Sequence, residues 1–168
     1  MIVECKGCKS HFKLDDKKAE AGGRFKCKKC GEMIEVEKGA AKPQRIIVAD
    51  DTDFFRFMME DLLVKDGYEV ITAKDGEDAL AKVNQELPNL DLLLLDMFMP
   101  KMDGFEVIRE IRKEPMGKDL PIMVLSGIVK SSEDKAIMME LGVKGFIDKS
   151  TPPEDMLHRV DMLLRPYE

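Results

Sequence analysis

Two groups of residues in this 168-residue chain have the types and spacing for metal binding or reaction chemistry. The first is Cys5, Cys8, Cys27 and Cys30, two C-x₂-C pairs with 18 residues between them. Each pair forms a tight knuckle presenting two thiolates, and four sulfurs complete a closed tetrahedral Zn²⁺ site with no open position for catalysis. Such a metal would be structural. A redox dithiol or disulfide is the competing reading, but thioredoxin-like motifs sit beside a βαβ unit, and none is legible near these pairs. His11 reads as an exposed histidine, because four cysteines already fill the site.

The second group begins where the apolar run Ile46-Ile47-Val48-Ala49 stops at two adjacent carboxylates, Asp50 and Asp51. Charges about 4 Å apart repel by roughly 4 kcal/mol at the effective dielectric of a protein site, so something must offset them. Asp96 closes a second run, Leu92 to Leu95; Ser126 closes Val124-Leu125, and Lys149 follows Gly145-Phe146-Ile147-Asp148. Three carboxylates brought together would need a cation, and an all-oxygen site with room for water suits Mg²⁺. Lys149 would add a further positive charge and Ser126 a hydroxyl donor.

The elements that must position these groups follow from periodicity. Strands are predicted at 45–49, 68–73, 91–95, 121–125 and 144–147, with amphipathic helices at about 54–66, 77–87, 104–113, 132–141 and 153–164. Five strand-then-helix repeats specify an α/β fold, a doubly wound five-stranded parallel sheet covered on both faces. In the strand order 2-1-3-4-5 the first and third strands are neighbours at the switch point, so Asp50, Asp51 and Asp96 share the crevice beyond their carboxyl ends. The methionines, among them Met58, Met59, Met138 and Met139, read as helix core or half-exposed surface rather than a cofactor site. Asp53 is expected to cap the first helix, and Asp103-Gly104 to turn the chain into the third.

Upstream, the alternations Phe12/Leu14 and Ile34/Val36 suggest short strands flanking the cysteine knuckles. Forty residues bury too little surface to fold without a metal, so metal binding and folding should be one event. Residues 38–44 carry charge, Gly, Ala and Pro without apolar periodicity, which is linker composition. The division expected is a module at 1–37, a linker at 38–44 and a larger domain at 45–168. Charge is split in the same way: residues 1–40 hold 10 Lys and Arg against 7 Asp and Glu, a net +3, whereas 45–168 hold 16 against 26, a net −10. The acidic part argues against a surface for nucleic-acid phosphates, and the basic part leaves nucleic acid open without favouring it. The apolar runs are too short to span a bilayer and the first residues lack the apolar stretch of a signal peptide, so a cytoplasmic protein without membrane contact is expected.

Ile2-Val3-Glu4-Cys5, Phe12-Lys13-Leu14-Asp15-Asp16, Gly22-Gly23-Arg24-Phe25-Lys26-Cys27 and Cys30-Gly31 resemble the short bacterial zinc-ribbon family, over about residues 1–37. Residues 45–165 resemble the response-regulator receiver domain through Ile47-Val48-Ala49-Asp50-Asp51, the run Leu95-Asp96-Met97-Phe98-Met99-Pro100-Lys101-Met102-Asp103-Gly104, Val124-Leu125-Ser126-Gly127, and Gly145-Phe146-Ile147-Asp148-Lys149. That resemblance implies a two-component phosphorelay. Asp96 would accept a phosphoryl group from a histidine kinase or phosphotransfer protein. Mg²⁺ would be held by Asp51, Asp96 and the Phe98 backbone carbonyl, with Asp50 acting through water. Ser126 and Lys149 would hold phosphoryl oxygens, and Phe146 would reorient when Ser126 moves. The domain would be a phosphoacceptor that catalyses its own phosphorylation and slow dephosphorylation, rather than an enzyme acting on other substrates, and it would switch a surface read by a downstream protein target.

The chain departs from the family at Ser150, where proline usually follows the lysine, often through a cis bond; a cis bond before Ser150 would cost roughly 3 kcal/mol. Phe98 and Ile128 border the path of attacking water in proteins of this kind. Both are apolar here, so slow self-hydrolysis is expected if they exclude water, whereas side chains turned outward would instead form partner surface. Two rival functions frame the reading. Asp51-Thr52-Asp53 resembles the nucleophile loop of haloacid-dehalogenase-type phosphohydrolases, which would make Asp51 the nucleophile. A DNA-binding regulator would instead read DNA through the ribbon, on which dedicated output is expected to fall because the sequence ends at Glu168 just after the fifth helical pattern.

Overall fold

The Leu92–Leu95 run has no polar position that could face water, and all four leucines are fully buried in the computed structural model of the chain. Burying each such side chain stabilises the fold by roughly 2 kcal/mol, so this run anchors its sheet. The structure describes residues 2–13, 23–36, 43–127 and 132–165. It divides into two compact units, residues 1–43 and 44–168.

The larger unit has five strands, β5 (Arg45–Ala49), β6 (Glu69–Ala73), β7 (Leu92–Asp96), β8 (Ile122–Ser126) and β9 (Gly145–Asp148). They alternate with helices α1 (Asp53–Lys65), α2 (Gly76–Glu86), α3 (Gly104–Lys113), α4 (Ser132–Glu140) and α5 (Pro153–Leu164). The order across the sheet is β6-β5-β7-β8-β9 and every pairing is parallel, the doubly wound arrangement that the sequence pattern predicts. Alternation along each strand sends side chains to opposite faces. Ile47, Leu93 and Leu95 pack with Val83 of α2, Val107 and Ile111 of α3 and Met138 of α4. Ile46, Val48, Leu92 and Leu94 pack with Phe55, Met59 and Leu63 of α1 and Met156 and Val160 of α5. Met59 and Met138 are thus core, whereas Met139 is exposed.

Helix starts differ in how firmly they are set. Asp103 begins α3 with a reciprocal capping box, its side chain accepting from the Glu106 N–H while the Glu106 carboxylate accepts from the Asp103 N–H. Gly104 then lies so close to β7 that a Cβ would stand 2.8 Å from the Asp96 carbonyl oxygen. Asp53 does not cap α1 as expected: Thr52 holds that position without a side-chain bond, and Asp53, one residue inside, ion-pairs with Arg56. Thr52 keeps the extended backbone of a cap, φ −90° and ψ 114°, so Asp53 is already inside the helix, where its carboxylate pairs with an Arg56 guanidinium that also donates to the Asp50 carbonyl at 2.6 Å.

The smaller unit is two antiparallel hairpins, β1 (Ile2–Glu4) with β2 (His11–Lys13) and β3 (Gly23–Lys26) with β4 (Met33–Val36). Each hairpin turn carries one cysteine pair, and the two turns repeat one pattern. Cys5 N–H donates to the Ser10 carbonyl and Lys9 N–H to that of Cys5; Cys27 N–H donates to the Glu32 carbonyl and Gly31 N–H to that of Cys27. The equivalent residues Lys9 and Gly31 both adopt the left-handed conformation, with φ of 58° and 78°. Leu14, Ile128 and most of the expected linker lie outside the described residues. No helix among the described residues is long and apolar enough to cross a membrane.

Candidate functional site

The carboxyl ends of β5, β7 and β9 meet at one crevice. Asp50 leaves β5 and Asp96 ends β7, both almost wholly buried, while Asp51 is exposed at the mouth. Oxygens of these three carboxylates all lie within 4.8 Å of one another. Lys149, just after β9, reaches between two of them, its Nζ 2.5 Å from Asp50 Oδ2 and 2.6 Å from Asp96 Oδ2. The first contact is an ion pair without hydrogen-bond alignment, so the buried Asp50 Oδ2 retains an unfilled direction. The Lys149 ammonium also lies 5.2 Å from the centre of the Phe55 ring, whose face favours a cation.

Burial pushes the Asp96 carboxyl above its ordinary pKa, against the pull of the Lys149 ammonium and the Phe98 N–H. Burial works against the charge on Lys149 too, yet its pairing with the Asp50 and Asp96 carboxylates outweighs that and holds it above the ordinary lysine value. Three carboxylates facing one ammonium leave a net −2 at neutral pH when all are ionised. An oxygen-only donor set, a surplus of two negative charges and an unfilled lone-pair direction on a buried carboxylate together fit a hard divalent cation such as Mg²⁺.

The remaining residues named from sequence fall around this crevice. Ser126 is buried at the end of β8, and its carbonyl accepts from the Lys149 N–H at 3.1 Å. Phe146 is half-buried on β9 against the core, beside a shallow cavity of about 210 Å³ lined also by Ser126, Lys135, Asp148 and Arg159. Phe98 donates its N–H to Asp96 Oδ1 at 3.2 Å, while its ring is 70% exposed. An exposed ring cannot seal the crevice from water, so the expectation of water exclusion by Phe98 gives way to its outward alternative.

No cis peptide bond occurs among the described residues, so Lys149–Ser150 is trans. The turn is made another way: Asp148 Oδ1 accepts from the Ser150 N–H at 2.8 Å and the Ser150 hydroxyl at 2.6 Å. Those bonds hold the Asp148 carboxyl below its usual pKa. An aspartate two residues before serine is a local turn signal, and it was legible in the sequence.

In the smaller unit the four sulfurs also lie within 4.8 Å of one another, with Cys5 to Cys30 and Cys8 to Cys27 each at 3.6 Å. All four cysteines are free. A tetrahedral Zn²⁺ with Zn–S near 2.3 Å separates its sulfurs by about 3.8 Å, so the spacing fits. Titration of the cluster is uneven. The Ser10 hydroxyl and N–H hold Cys8 down to about 6; the Glu32 N–H acts in the same sense on Cys30, but burial and the neighbouring thiols push that residue up to about 12. Adjacent sulfurs resist simultaneous ionisation unless a cation joins them. His11 is exposed on β2, outside the cysteine cluster.

A doubly wound sheet with acidic groups ending its first and third strands, and a lysine after its fifth, gathers its reactive groups at the switch point. The chain belongs to the response regulator receiver domain family, which matches residues 46–161. It is 39% identical over 125 residues to the "Probable transcriptional regulator ycf27" of Cyanophora paradoxa, covering 74% of this chain and 50% of that one. The chain thus spans about half the length of the curated relatives it matches. Among solved structures, the Vibrio cholerae chemotaxis protein CheY4 is 32% identical with a TM-score of 0.68, over 73% of this chain and all of that one. The CheX-CheY-BeF3-Mg+2 complex from Borrelia burgdorferi is 31% identical with a TM-score of 0.65, over 71% of this chain and 87% of that one.

Proposed function

We propose that this protein is a two-component response regulator in which Asp96 accepts a phosphoryl group from a histidine kinase or phosphotransfer protein. The observation that carries the reading is the convergence of Asp50, Asp51 and Asp96 with Lys149 at the ends of three strands of a receiver fold. Asp51, Asp96 and the Phe98 carbonyl are the residues to hold Mg²⁺, with Asp50 acting through water. Mg²⁺ when bound supplies positive charge beside the phosphoryl oxygens and relieves the repulsion among the carboxylates.

The chain's own residues then have distinct tasks. Asp96 presents a carboxylate oxygen to phosphorus, the phosphorus–nitrogen bond to the donor's histidine breaks, and the imidazole keeps the bonding pair. Transfer of this kind depends mainly on in-line positioning and charge stabilisation. The Phe98 N–H holds one Asp96 oxygen and leaves the carboxylate oriented. Lys149, already bonded to Asp96, is placed to pair with phosphoryl oxygens, and Ser126 offers a hydroxyl from β8. Drawing Ser126 toward the phosphoryl group shifts its neighbour Phe146, changing the surface near β8 and β9 that a downstream protein target reads. The direct test is Mg²⁺-dependent labelling of the full chain by acetyl phosphate. Asp51→Ala is expected to weaken Mg²⁺ binding at least tenfold and slow labelling in step, measured by calorimetry and label uptake. Unchanged Mg²⁺ affinity would remove Asp51 from the metal site.

Residues 1–37 are proposed as a zinc-ribbon joined by the 38–44 linker to the receiver at 45–168, with Cys5, Cys8, Cys27 and Cys30 holding one structural Zn²⁺. The ribbon serves as a protein interaction module. Its exposed Arg24–Glu35 pair and small net charge give nucleic acid no strong foothold. Chelation is expected to abolish the ribbon's amide dispersion in NMR spectra while leaving the receiver's thermal transition in place. Protein purified without chelator that contains no zinc would overturn the assignment.

A further inference from the structure

The loop from Asp96 to α3 touches the acceptor carboxylate directly, since the Phe98 N–H bonds Asp96 Oδ1 at 3.2 Å. What fixes that loop therefore bears on how the acceptor is held. Near β7 it is pinned by buried Met97 and Met99 and by the Gly104 N–H, which donates to the Met97 carbonyl at 3.0 Å. Farther along, the loop rests on the start of α2. The Met102 carbonyl approaches Gly76 so closely that a Cβ there would lie 2.0 Å from its oxygen. Between these contacts Lys101 takes the left-handed backbone conformation, φ 69°, which an unbranched side chain without a local hydrogen bond adopts only against strain.

Lys101 has a partner that offsets the strain. Its Nζ lies 2.6 Å from Asp75 Oδ2, whose side chain is 5% exposed, and 3.9 Å from Glu77. Asp75 is also the N-cap of α2, accepting the Asp78 N–H at 2.9 Å through its other oxygen. One buried carboxylate thus ties the acceptor loop to the first turn of the neighbouring helix. Both partners respond: the bond to Lys101 holds Asp75 below the ordinary carboxylate value, and the same bond holds Lys101 above the ordinary lysine value.

We infer that Lys101 and Asp75 form a latch that clamps the acceptor loop onto α2 and so positions the Phe98 amide and the Asp96 carboxylate for phosphoryl transfer. The inference rests on the phosphoacceptor reading above. Neither residue touches the reacting atoms; both are positioning residues. A loop released from α2 would let the Phe98 N–H drift from Asp96, and small misplacement near a reacting centre slows transfer steeply.

The experiment compares the full wild-type chain with Lys101→Gly, Asp75→Asn and Lys101→Arg, following acetyl-phosphate labelling at saturating Mg²⁺, Mg²⁺ affinity and Tm. Lys101→Gly removes the latch and the backbone strain together, so Tm should hold or rise. Asp75→Asn keeps an oxygen to cap Asp78 and replaces the acceptor of the Lys101 bond with an amide nitrogen that cannot accept. Both are expected to label about tenfold more slowly than wild type with little change in Tm, while Lys101→Arg restores most of the rate. In Lys101→Gly the Phe98 amide should exchange faster than in wild type, and an unchanged exchange rate would count against the latch. Wild-type labelling rates in Lys101→Gly and Asp75→Asn would overturn the latch and leave the phosphoacceptor reading standing. A wild-type chain that takes no label would overturn the phosphoacceptor reading and the latch with it.

Discussion

Asp96→Asn is expected to take less than about 1% of the wild-type label from acetyl phosphate and Mg²⁺, and at the same time to unfold at a higher temperature. The two effects have one origin. Asp96 is nearly buried, and burial raises its pKa despite Lys149 and the Phe98 N–H. Below the ordinary carboxylate range, folded and unfolded chains both carry the proton and ionisation has no effect on stability. As pH rises, the unfolded chain loses its proton first, so stability falls until the folded carboxyl ionises as well. Wherever the folded carboxyl is ionised, the metal-free fold is therefore less stable than it would be with that group neutral. An amide keeps an oxygen for the Phe98 N–H and removes that charge, and although its NH2 then faces the Lys149 ammonium, the net effect should be a higher Tm without Mg²⁺. Denaturant melts at pH 7 and pH 4 check the sign: the gain over wild type should be larger at pH 7. Full labelling of Asp96→Asn would move the acceptor elsewhere, with Asp51 the first candidate.

Lys149→Ala should act in the opposite direction on stability. Its ammonium is the only cation within 2.6 Å of both Asp50 and Asp96 among the described residues, and Asp50 is fully buried. Removing one partner leaves buried carboxylates uncompensated, a change of about 3 kcal/mol against the fold at neutral pH. The lysine's folded pKa is raised, so its contribution is present throughout the neutral range and is lost only as pH climbs through that raised value. In the variant the loss should shrink as pH falls and Asp96, whose pKa burial raises, takes up its proton and removes a charge Lys149 would have paired. Chemical denaturation across pH 4 to 8 reads this slope. Saturating Mg²⁺ should restore part of the stability and little of the labelling rate, because the metal replaces the charge and not the contact to the phosphoryl oxygens. A variant as stable as wild type at every pH would show that the Lys149 pairs contribute nothing.

Much of this architecture was legible because it depends on pattern. The apolar runs at 45–49 and 92–95 and the helical spacing between them specify a parallel sheet, and the order of its strands brings Asp50, Asp51 and Asp96 together at the switch point. Cysteine spacing is equally direct, since C-x₂-C is a local geometry repeated in the two turns. What pattern does not carry is the outcome of competition between side chains. Asp53 looks like a cap, but the helix already includes it and its carboxylate pairs with Arg56. Nothing in the pattern singles out Lys101; only the fold places Asp75, 26 positions away, within 2.6 Å of it. Phe54, Phe57 and Phe98 belong to apolar or mixed stretches, yet they are 76%, 68% and 70% exposed, because helix periodicity does not say where a neighbouring element stops covering the surface. At Ser150 the sequence left the bond geometry open, and the answer is a trans peptide with an Asp148 side-chain turn.

The measurement that bears most directly on the account is residue-level mapping of the phosphoryl group on wild-type protein treated with acetyl phosphate and Mg²⁺. Reduction of the acyl phosphate with borohydride converts the modified aspartate to homoserine, which mass spectrometry of peptides can place. Homoserine is expected at position 96 alone, dependent on Mg²⁺ and lost on chelation. Modification at Asp51 instead, or none at Asp96 under conditions where the receiver is folded and Mg²⁺ is bound, would contradict it.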